Sequence, residues 1–150
     1  MATPDTADEA GIRQLITNMV EATRAADIEG LNALFAPDVV SFDVGPQLQS
    51  VGAAAKMQNW VAAFTMLGPP RDYEIHDLAI IVADDVAFAH SFNRISGTVK
   101  SADGNANRVG PWVRYTGVFR KIQGAWLIVH DHVSAPLDFA SGRALLNLEP

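Results

Sequence analysis

The chain has 150 residues and a formal net charge of −6; 49% of its residues are hydrophobic, 19% are charged and none is cysteine. This length predicts one domain over residues 1–150, large enough to bury a core without added cross-links. The absence of thiols excludes disulfides, thiolate nucleophiles, zinc ribbons and iron–sulfur clusters. The acidic balance and scattered basic residues predict no nucleic-acid partner and no anionic-lipid surface.

The first eleven residues, MATPDTADEAG, have neither the basic start nor the apolar stretch of an export signal. No apolar run reaches the roughly 20 residues that a membrane-spanning helix needs. We therefore expect a cytoplasmic protein with no membrane partner. The chain also has no glycine-rich phosphate loop and no serine nucleophile elbow, so we expect no cofactor.

Three helices are predicted in the first half of the chain. Apolar residues recur at helical spacing from Ile12 to Val20, which predicts an amphipathic helix over about 7–26. Asp27 is placed to cap a short second helix, which Pro37 ends. A brief β-prone segment follows at 39–44, and Ser50 is then placed to cap a third helix that stops at the prolines near residue 70.

The second half of the chain changes to an extended pattern. Four strands are predicted at about 73–83, 86–99, 108–122 and 125–134, as a meander of antiparallel hairpins, with a tail from about Pro136. Helices followed by an antiparallel sheet indicate an α+β fold, and strands this long must curl around the helices. We expect a cone with an apolar cavity between the three helices and the concave face of the sheet.

Two segments resemble the superfamily of ketosteroid isomerase, SnoaL-like and nuclear-transport-factor-like proteins. The first runs from Asp27 through Leu34-Phe35-Ala36-Pro37-Asp38 to Asp43. The second, Gly124-x-Trp126-x-Ile128-Val129-His130-x-His132-x-Ser134-x-Pro136, is similar to the closing strand of SnoaL-like proteins and of the calcium/calmodulin-dependent kinase association domain. The resemblance covers nearly the whole chain and implies a cystatin-like α+β barrel. Members of this superfamily isomerise, dehydrate, cyclise, bind ligands or assemble, so the resemblance does not choose a reaction.

The resemblance also implies a pocket. Asp43 matches the proton-abstracting aspartate of ketosteroid isomerase, and Trp60 matches a pocket aromatic of that family. Met19 stands where the isomerase has its oxyanion tyrosine, and the position of its protonated acid falls near Thr116 or Gly117, so steroid isomerisation is not expected. In the resembled families the positions of Val129, Asp131, Val133 and Asn93 line the pocket; the ligand-binding residues we expect are Met19, Trp60, Asn93 and Tyr115.

The last strand contains His130, Asp131 and His132, and alternation puts both histidines on one face and the aspartate on the other. The hairpin at 123–124 permits a two-residue or a three-residue turn, and a slip of one residue reverses the assignment. If Asp131 faces inward, it forms a two-carboxylate site with Asp43, one acting as base and the other as a protonated donor. A salt bridge from Asp131 to Arg94, Arg108 or Arg114 is an equally acceptable structural role.

If the histidines face inward instead, an Asp43–histidine pair forms, as the resemblance to scytalone dehydratase implies. The His-x-His spacing also suits a metal ion, but no third ligand is evident, so we expect no metal. An inward Asp131 would leave Trp126, Ile128, Phe88 and Phe92 on the convex face of the sheet. That apolar surface predicts a back-to-back homodimer unless the C-terminal tail covers it.

These observations predict a cofactor-independent enzyme of the isomerase, cyclase or dehydratase type. Its ligand would be an apolar, polyketide-like or terpenoid-like small molecule, with Asp43 as the base and Asp131 or His132 as its partner. The alternative is a ligand-binding or oligomerisation module of the same fold without catalysis.

Overall fold

The computed structural model describes residues 6–150 of the protein. Its three helices are α1 (Thr6–Ala25), α2 (Ile28–Asn32) and α3 (Ala53–Met66). The strands are β1 (Phe35–Phe42), β2 (Ser50–Val51), β3 (Gly68–Ala83), β4 (Val86–Lys100), β5 (Ala106–Val109), β6 (Trp112–Ile122), β7 (Ala125–Ser134), β8 (Leu137–Asp138) and β9 (Arg143–Ala144). The predicted α+β class is confirmed.

The main sheet has the strand order β2-β1-β7-β6-β4-β3, and β5 pairs with β4. The predicted antiparallel meander is confirmed in β3, β4, β6 and β7, and the short first strand β1 adds to it by running parallel to β7. The two strands enter the sheet far apart in the chain, with α3 and the long hairpins between them, so no tight turn constrains their relative direction. The sheet is therefore mixed.

Two element boundaries in the first half differ from the predicted ones. The second helix ends before Phe35, which already belongs to β1, and Pro37 lies where the β1–β7 register shifts and no ladder bond is needed. The third helix begins after Gly52, whose φ of 91° suits glycine, instead of after Ser50. Ser50 forms β2 and pairs with Ser41.

Helix α3 lies over one end of the concave face of the sheet, and helices α1 and α2 cover the other end. Apolar side chains of α1 and α2 pack there against those of β6 and β7; the largest fully buried ones are Ile12, Leu31, Phe119 and Ile128. The inward face of α1 matches the predicted apolar stripe from Ile12 to Met19. Burial of this stripe against the sheet anchors α1.

A bulge in β7 decides which residues of that strand face inward. The hairpin uses the two-residue turn, with Ile122 paired to Ala125. Farther along, Phe119 pairs with Ile128 but Val118 pairs with His130, so Val129 is an extra residue. Before the bulge the even-numbered residues of β7 face the helices, and after it the odd-numbered ones do. Ile128 and Asp131 are consequently both inward.

This bulge corrects the predicted convex face. Trp126 and Ile128 belong to the interior: Ile128 is fully buried, and the Trp126 indole packs near Gly11 of α1 and donates to Asp8 at 2.9 Å. Phe88 and Phe92 do lie on the outer face of β4, with 37% and 39% of their surface exposed. The convex-face homodimer stays a prediction. In the described part of the chain, no helix is long and apolar enough to cross a membrane.

Candidate active site

A cavity of about 480 Å³ opens between α3, the segment after β1 and the concave face of the sheet. Asp43 and Asp131, the two predicted carboxylates, both line it. The four predicted ligand-binding residues line it as well: Met19, Trp60, Asn93 and Tyr115. Most of the remaining wall is apolar and includes Ala62, Ala63, Met66, Ile95, Val113 and Val133. Its size suits a small organic ligand.

The two carboxylates are joined by a lysine that the sequence analysis did not identify. The ammonium nitrogen of Lys56 lies 2.7 Å from Asp43 Oδ1 and 2.8 Å from Asp131 Oδ2. The side chains of Lys56 and Asp131 are each 4% exposed, whereas that of Asp43 is 23% exposed. Asp131 therefore pairs with Lys56 and not with one of the arginines considered above. With all three groups ionised, this Asp43–Lys56–Asp131 triad carries one net negative charge.

Asp43 is held at both oxygens. Its Oδ2 accepts a hydrogen bond of 2.7 Å from the Asn59 amide, which lies one turn beyond Lys56 on α3. The same amide donates to Ser50 at 2.8 Å. Because Asp43 directly follows β1 and both of its partners lie on α3, while Asn59 also binds Ser50 of β2, these bonds fix the start of the loop at the cavity mouth.

The sheet side of the cavity, opposite α3, has a chain of hydrogen-bonded neutral side chains on β3 and β4. Ser91 donates to the Asn93 side-chain oxygen at 2.6 Å, and the Asn93 amide donates to the Tyr73 hydroxyl at 2.8 Å. Burial raises the pKa of both Tyr73 and Tyr115 above its usual value, and the nearby Asp131 charge acts in the same direction. Both tyrosines thus keep their protons at neutral pH and present uncharged hydroxyls.

Some buried polar atoms of the cavity have no hydrogen-bond partner among the described residues. They are the Asp131 Oδ1 oxygen, the Tyr115 hydroxyl and the Trp60 indole nitrogen. Such atoms are rare in folded proteins, because each one has lost its water without regaining a hydrogen bond. Each atom belongs to a residue that lines the cavity, so a ligand bound there is the available partner.

Gly117 leaves room for the Tyr115 side chain. A Cβ at Gly117 would collide with the Tyr115 hydroxyl and lie 2.9 Å from the ring carbon that carries it. Gly117 also pairs with Asp131 across β6 and β7. The absence of a side chain at this position lets the tyrosine ring lie along the strand, close to the triad.

The histidines of β7 do not reach the cavity, which corrects the predicted catalytic role of His132. The bulge turns both His130 and His132 to the outer face, where their rings lie 4.8 Å and 5.5 Å from that of Phe42. His130 Nδ1 is 2.6 Å from the Val40 carbonyl oxygen. An Asp43–histidine pair therefore does not form. Over residues 6–150, no cluster of three metal-binding side chains occurs.

The sequence did not predict Lys56 as a site residue, because a lone lysine on an amphipathic helix normally faces water. A usable signal was nevertheless present. Lys56 is the sole charged residue between Val44 and Pro70, and it precedes Trp60 by four residues, which places both on one face of α3. A single charge beside a pocket aromatic predicts a buried partner of opposite charge.

Comparisons with known proteins agree with this architecture. The model of the SnoaL-like domain matches residues 12–138. No curated protein matches the chain. An NTF2-like protein of unknown function from Pseudomonas putida KT2440 is 34% identical, with a TM-score of 0.85 over 97% of this chain and 99% of that one.

Two more distant solved structures share the fold. A candidate dehydratase of the NTF2-like family from Streptomyces avermitilis is 21% identical, with a TM-score of 0.75 over 91% of this chain and all of that one. A candidate scytalone dehydratase from Novosphingobium aromaticivorans is 14% identical, with a TM-score of 0.75 over 87% of this chain and 85% of that one. At these identities the likeness concerns the fold.

Proposed function

Since the chain belongs to the SnoaL-like domain family, we propose that it is a cofactor-independent enzyme that moves a proton on an apolar small molecule. The reaction would be of the isomerase, cyclase or dehydratase type. One observation carries the proposal: the buried carboxylate of Asp131, which lines a largely apolar cavity, has an oxygen with no hydrogen-bond partner among the described residues.

Asp131 is the base in this proposal, and it replaces Asp43 in that role. Both oxygens of Asp43 accept hydrogen bonds from the protein, whereas Asp131 Oδ1 accepts none from the part of the chain that the structure describes. A general base must come within hydrogen-bond distance of the proton that it removes, and an oxygen with no other partner is free to do so.

Lys56 and Asp43 act as positioning residues. Lys56 holds Asp131 Oδ2, which directs Oδ1 away from the ammonium group. Asp43 holds Lys56 in turn, and its own second oxygen is fixed by Asn59. A base whose orientation is set by packed partners reacts without first paying the entropic cost of being ordered.

Tyr115 would support the developing negative charge. Its raised pKa keeps the hydroxyl protonated, so it can donate a hydrogen bond to a carbonyl oxygen of the ligand. When Asp131 takes a proton from the carbon beside that carbonyl, the electron pair of the broken C–H bond moves to the oxygen as an enolate. A hydrogen bond that strengthens as this charge grows lowers the barrier.

The names of two structural neighbours, both candidate dehydratases, agree with proton-transfer chemistry. This support is an analogy at the level of the fold. The competing function is ligand binding without catalysis. It is favoured by the two ion pairs of Lys56, with Asp43 and with Asp131. A buried lysine that compensates two carboxylates is also what a structural ion network looks like.

Hydrogen–deuterium exchange of a ketone tests the proposal without knowledge of the natural substrate. In D₂O, β-tetralone exchanges the protons beside its carbonyl, and NMR measures the rate. We expect the protein to accelerate this exchange and Asp131→Asn to reduce the acceleration by roughly 10²–10⁴-fold, the usual contribution of a general base.

The matched control is His132→Asn, because His132 lies on the outer face of the same strand. This variant should retain the exchange rate of the unmodified protein. If β-tetralone binds but exchanges no faster than in buffer, proton transfer is rejected and the binding function is favoured.

A further inference from the structure

The unpartnered atoms in the cavity specify complementary groups on a ligand. An ionised Asp131 Oδ1 accepts hydrogen bonds, whereas the Trp60 indole nitrogen only donates them. Neither atom has a partner among residues 6–150. Leaving such a group buried and unpaired is unfavourable, because it has lost its water without regaining a hydrogen bond. A ligand with a hydroxyl donor and an oxygen acceptor would supply the missing hydrogen bonds.

The charges around the cavity act against an anionic ligand. Within the described chain, the charged side chains that line the cavity are Asp43, Lys56 and Asp131. The ammonium group of Lys56 is already shared by both carboxylates at 2.7 and 2.8 Å. A ligand carboxylate would enter an apolar space that already carries one net negative charge, without a counter-ion of its own.

A cationic ligand is also a poor match. An ammonium group can pair with Asp131 Oδ1, but it offers no acceptor to the Trp60 nitrogen. It would also lie close to the ammonium group of Lys56, which is bound to the other oxygen of the same carboxylate. Apart from Asp131, the wall is largely apolar and does little to replace the water that either kind of ion loses.

We infer that the cavity selects uncharged ligands that carry a hydroxyl group on an apolar body, and that it rejects the matching carboxylates and amines. This inference rests on the proposed function in taking the cavity as the ligand site, but it requires no turnover. The hydroxyl proton would be donated to Asp131 Oδ1. The apolar body would lie against Ile95, Val113 and the α3 side of the cavity.

Calorimetric titration at neutral pH with four probes of one ring system tests the inference. The probes are β-naphthol, naphthalene, β-naphthoate and β-naphthylmethylamine. We expect β-naphthol to bind about 10-fold more tightly than naphthalene, which corresponds to about 1.4 kcal/mol. The naphthoate and the amine should each bind at least about 10-fold more weakly than β-naphthol. Equal or tighter binding of either ion overturns the inference, and so does a lack of binding by β-naphthol.

A matched pair of variants distinguishes the effect of losing the hydrogen-bond acceptor of Asp131 from the effect of losing one negative charge. Asp131→Asn and Asp43→Asn each remove one negative charge from the triad, but only Asp131 supplies the unpartnered oxygen. Both variants should bind β-naphthoate more tightly than the unmodified protein does. Asp131→Asn should also lose the preference for β-naphthol over naphthalene, and Asp43→Asn should keep it. If both variants keep that preference, Asp131 is not the acceptor and the inference fails.

The two proposals can fail independently. If the probes bind in the expected order but β-tetralone exchange is not accelerated, the ligand class stands and the enzymatic function falls. If exchange is accelerated while β-naphthoate binds as tightly as β-naphthol, the enzymatic function stands and the ligand class falls. The ranking in the unmodified protein is informative even if a variant does not fold.

Discussion

The two ends of the protein interior are built on the same strands but have opposite characters. At the closed end, Phe119 of β6 pairs with Ile128 of β7, and both are fully buried in the apolar core. Only a few residues away on the same strands, Gly117 pairs with Asp131, and the cavity begins. The difference shows that the strand geometry alone does not create the cavity. The cavity arises where a glycine, polar side chains and the bulge at Val129 replace closely packed apolar side chains.

The largest effect should come from removing equal side chains at the two ends. Ile128→Ala deletes methyl groups from the closed end, where the packed neighbours cannot fill the void, and should lower the free energy of unfolding by about 4 kcal/mol. Ile95→Ala deletes the same atoms from the cavity wall, which already borders open space. We expect a loss of about 2 kcal/mol there, because less packing is removed. Urea unfolding of the two variants measures the difference.

Equal losses at both positions would contradict the comparison. They would mean that the space beside Ile95 is as closely packed as that beside Ile128. The ligand site would then need another location.

Lys56→Met sharpens the comparison at the open end. The variant keeps most of the side-chain volume but leaves two carboxylates without their shared cation, one of them almost fully buried. We expect a loss of about 3 kcal/mol in the free energy of unfolding, as is usual when one partner of a buried ion pair is removed. Thermal and urea unfolding should agree on the direction.

The control for this variant is Lys100→Met, at the exposed end of β4. It should change stability by less than about 0.5 kcal/mol, because exposed substitutions rarely do more. A small effect at both lysines would show that the Asp43–Lys56–Asp131 triad is not closed in solution. Asp131 would then lack the orientation that the proposed base requires.

Sequence reasoning predicted the class of fold because periodicity and turn residues are local signals. The stripe from Ile12 to Met19 and the position of the turn at Gln123-Gly124 depend on neighbours in the chain, and both predictions are confirmed, whereas the length of the turn was left open. The inward direction of Asp131 followed from the family resemblance and not from alternation. With the observed two-residue turn, strict alternation would have pointed the histidines of β7 inward.

The features that sequence reasoning missed depend on contacts between distant segments. The bulge at Val129 is set by how β7 pairs with both β6 and β1, and no residue type at that position marks it. Lys56 is buried because β7 and the first residue after β1 each bring an aspartate to the same face of α3. The parallel pairing of β1 with β7 is likewise a long-range choice.

The smallest predicted effect concerns the alkaline stability of the open end. Both tyrosines of the chain, Tyr73 and Tyr115, are buried there, and burial raises their pKa above the ordinary value of 10.0. Above pH 10 the unfolded chain therefore loses tyrosine protons that the folded chain retains. Stability is fully present below pH 10 and should fall with rising pH by about 1.4 kcal/mol per pH unit for each tyrosine.

Urea unfolding between pH 9 and 11 measures this loss of stability on both sides of the ordinary tyrosine pKa of 10.0. The ultraviolet absorbance of tyrosinate is followed in the same samples. In the folded protein, tyrosinate should appear only as the chain unfolds, and Tyr115→Phe should roughly halve the slope of stability against pH. If half of the tyrosinate signal instead develops near pH 10 while the chain stays folded, one hydroxyl is in contact with bulk water. The open end would then be a solvent channel instead of a dry ligand cavity, and a buried base at Asp131 would lose its physical basis.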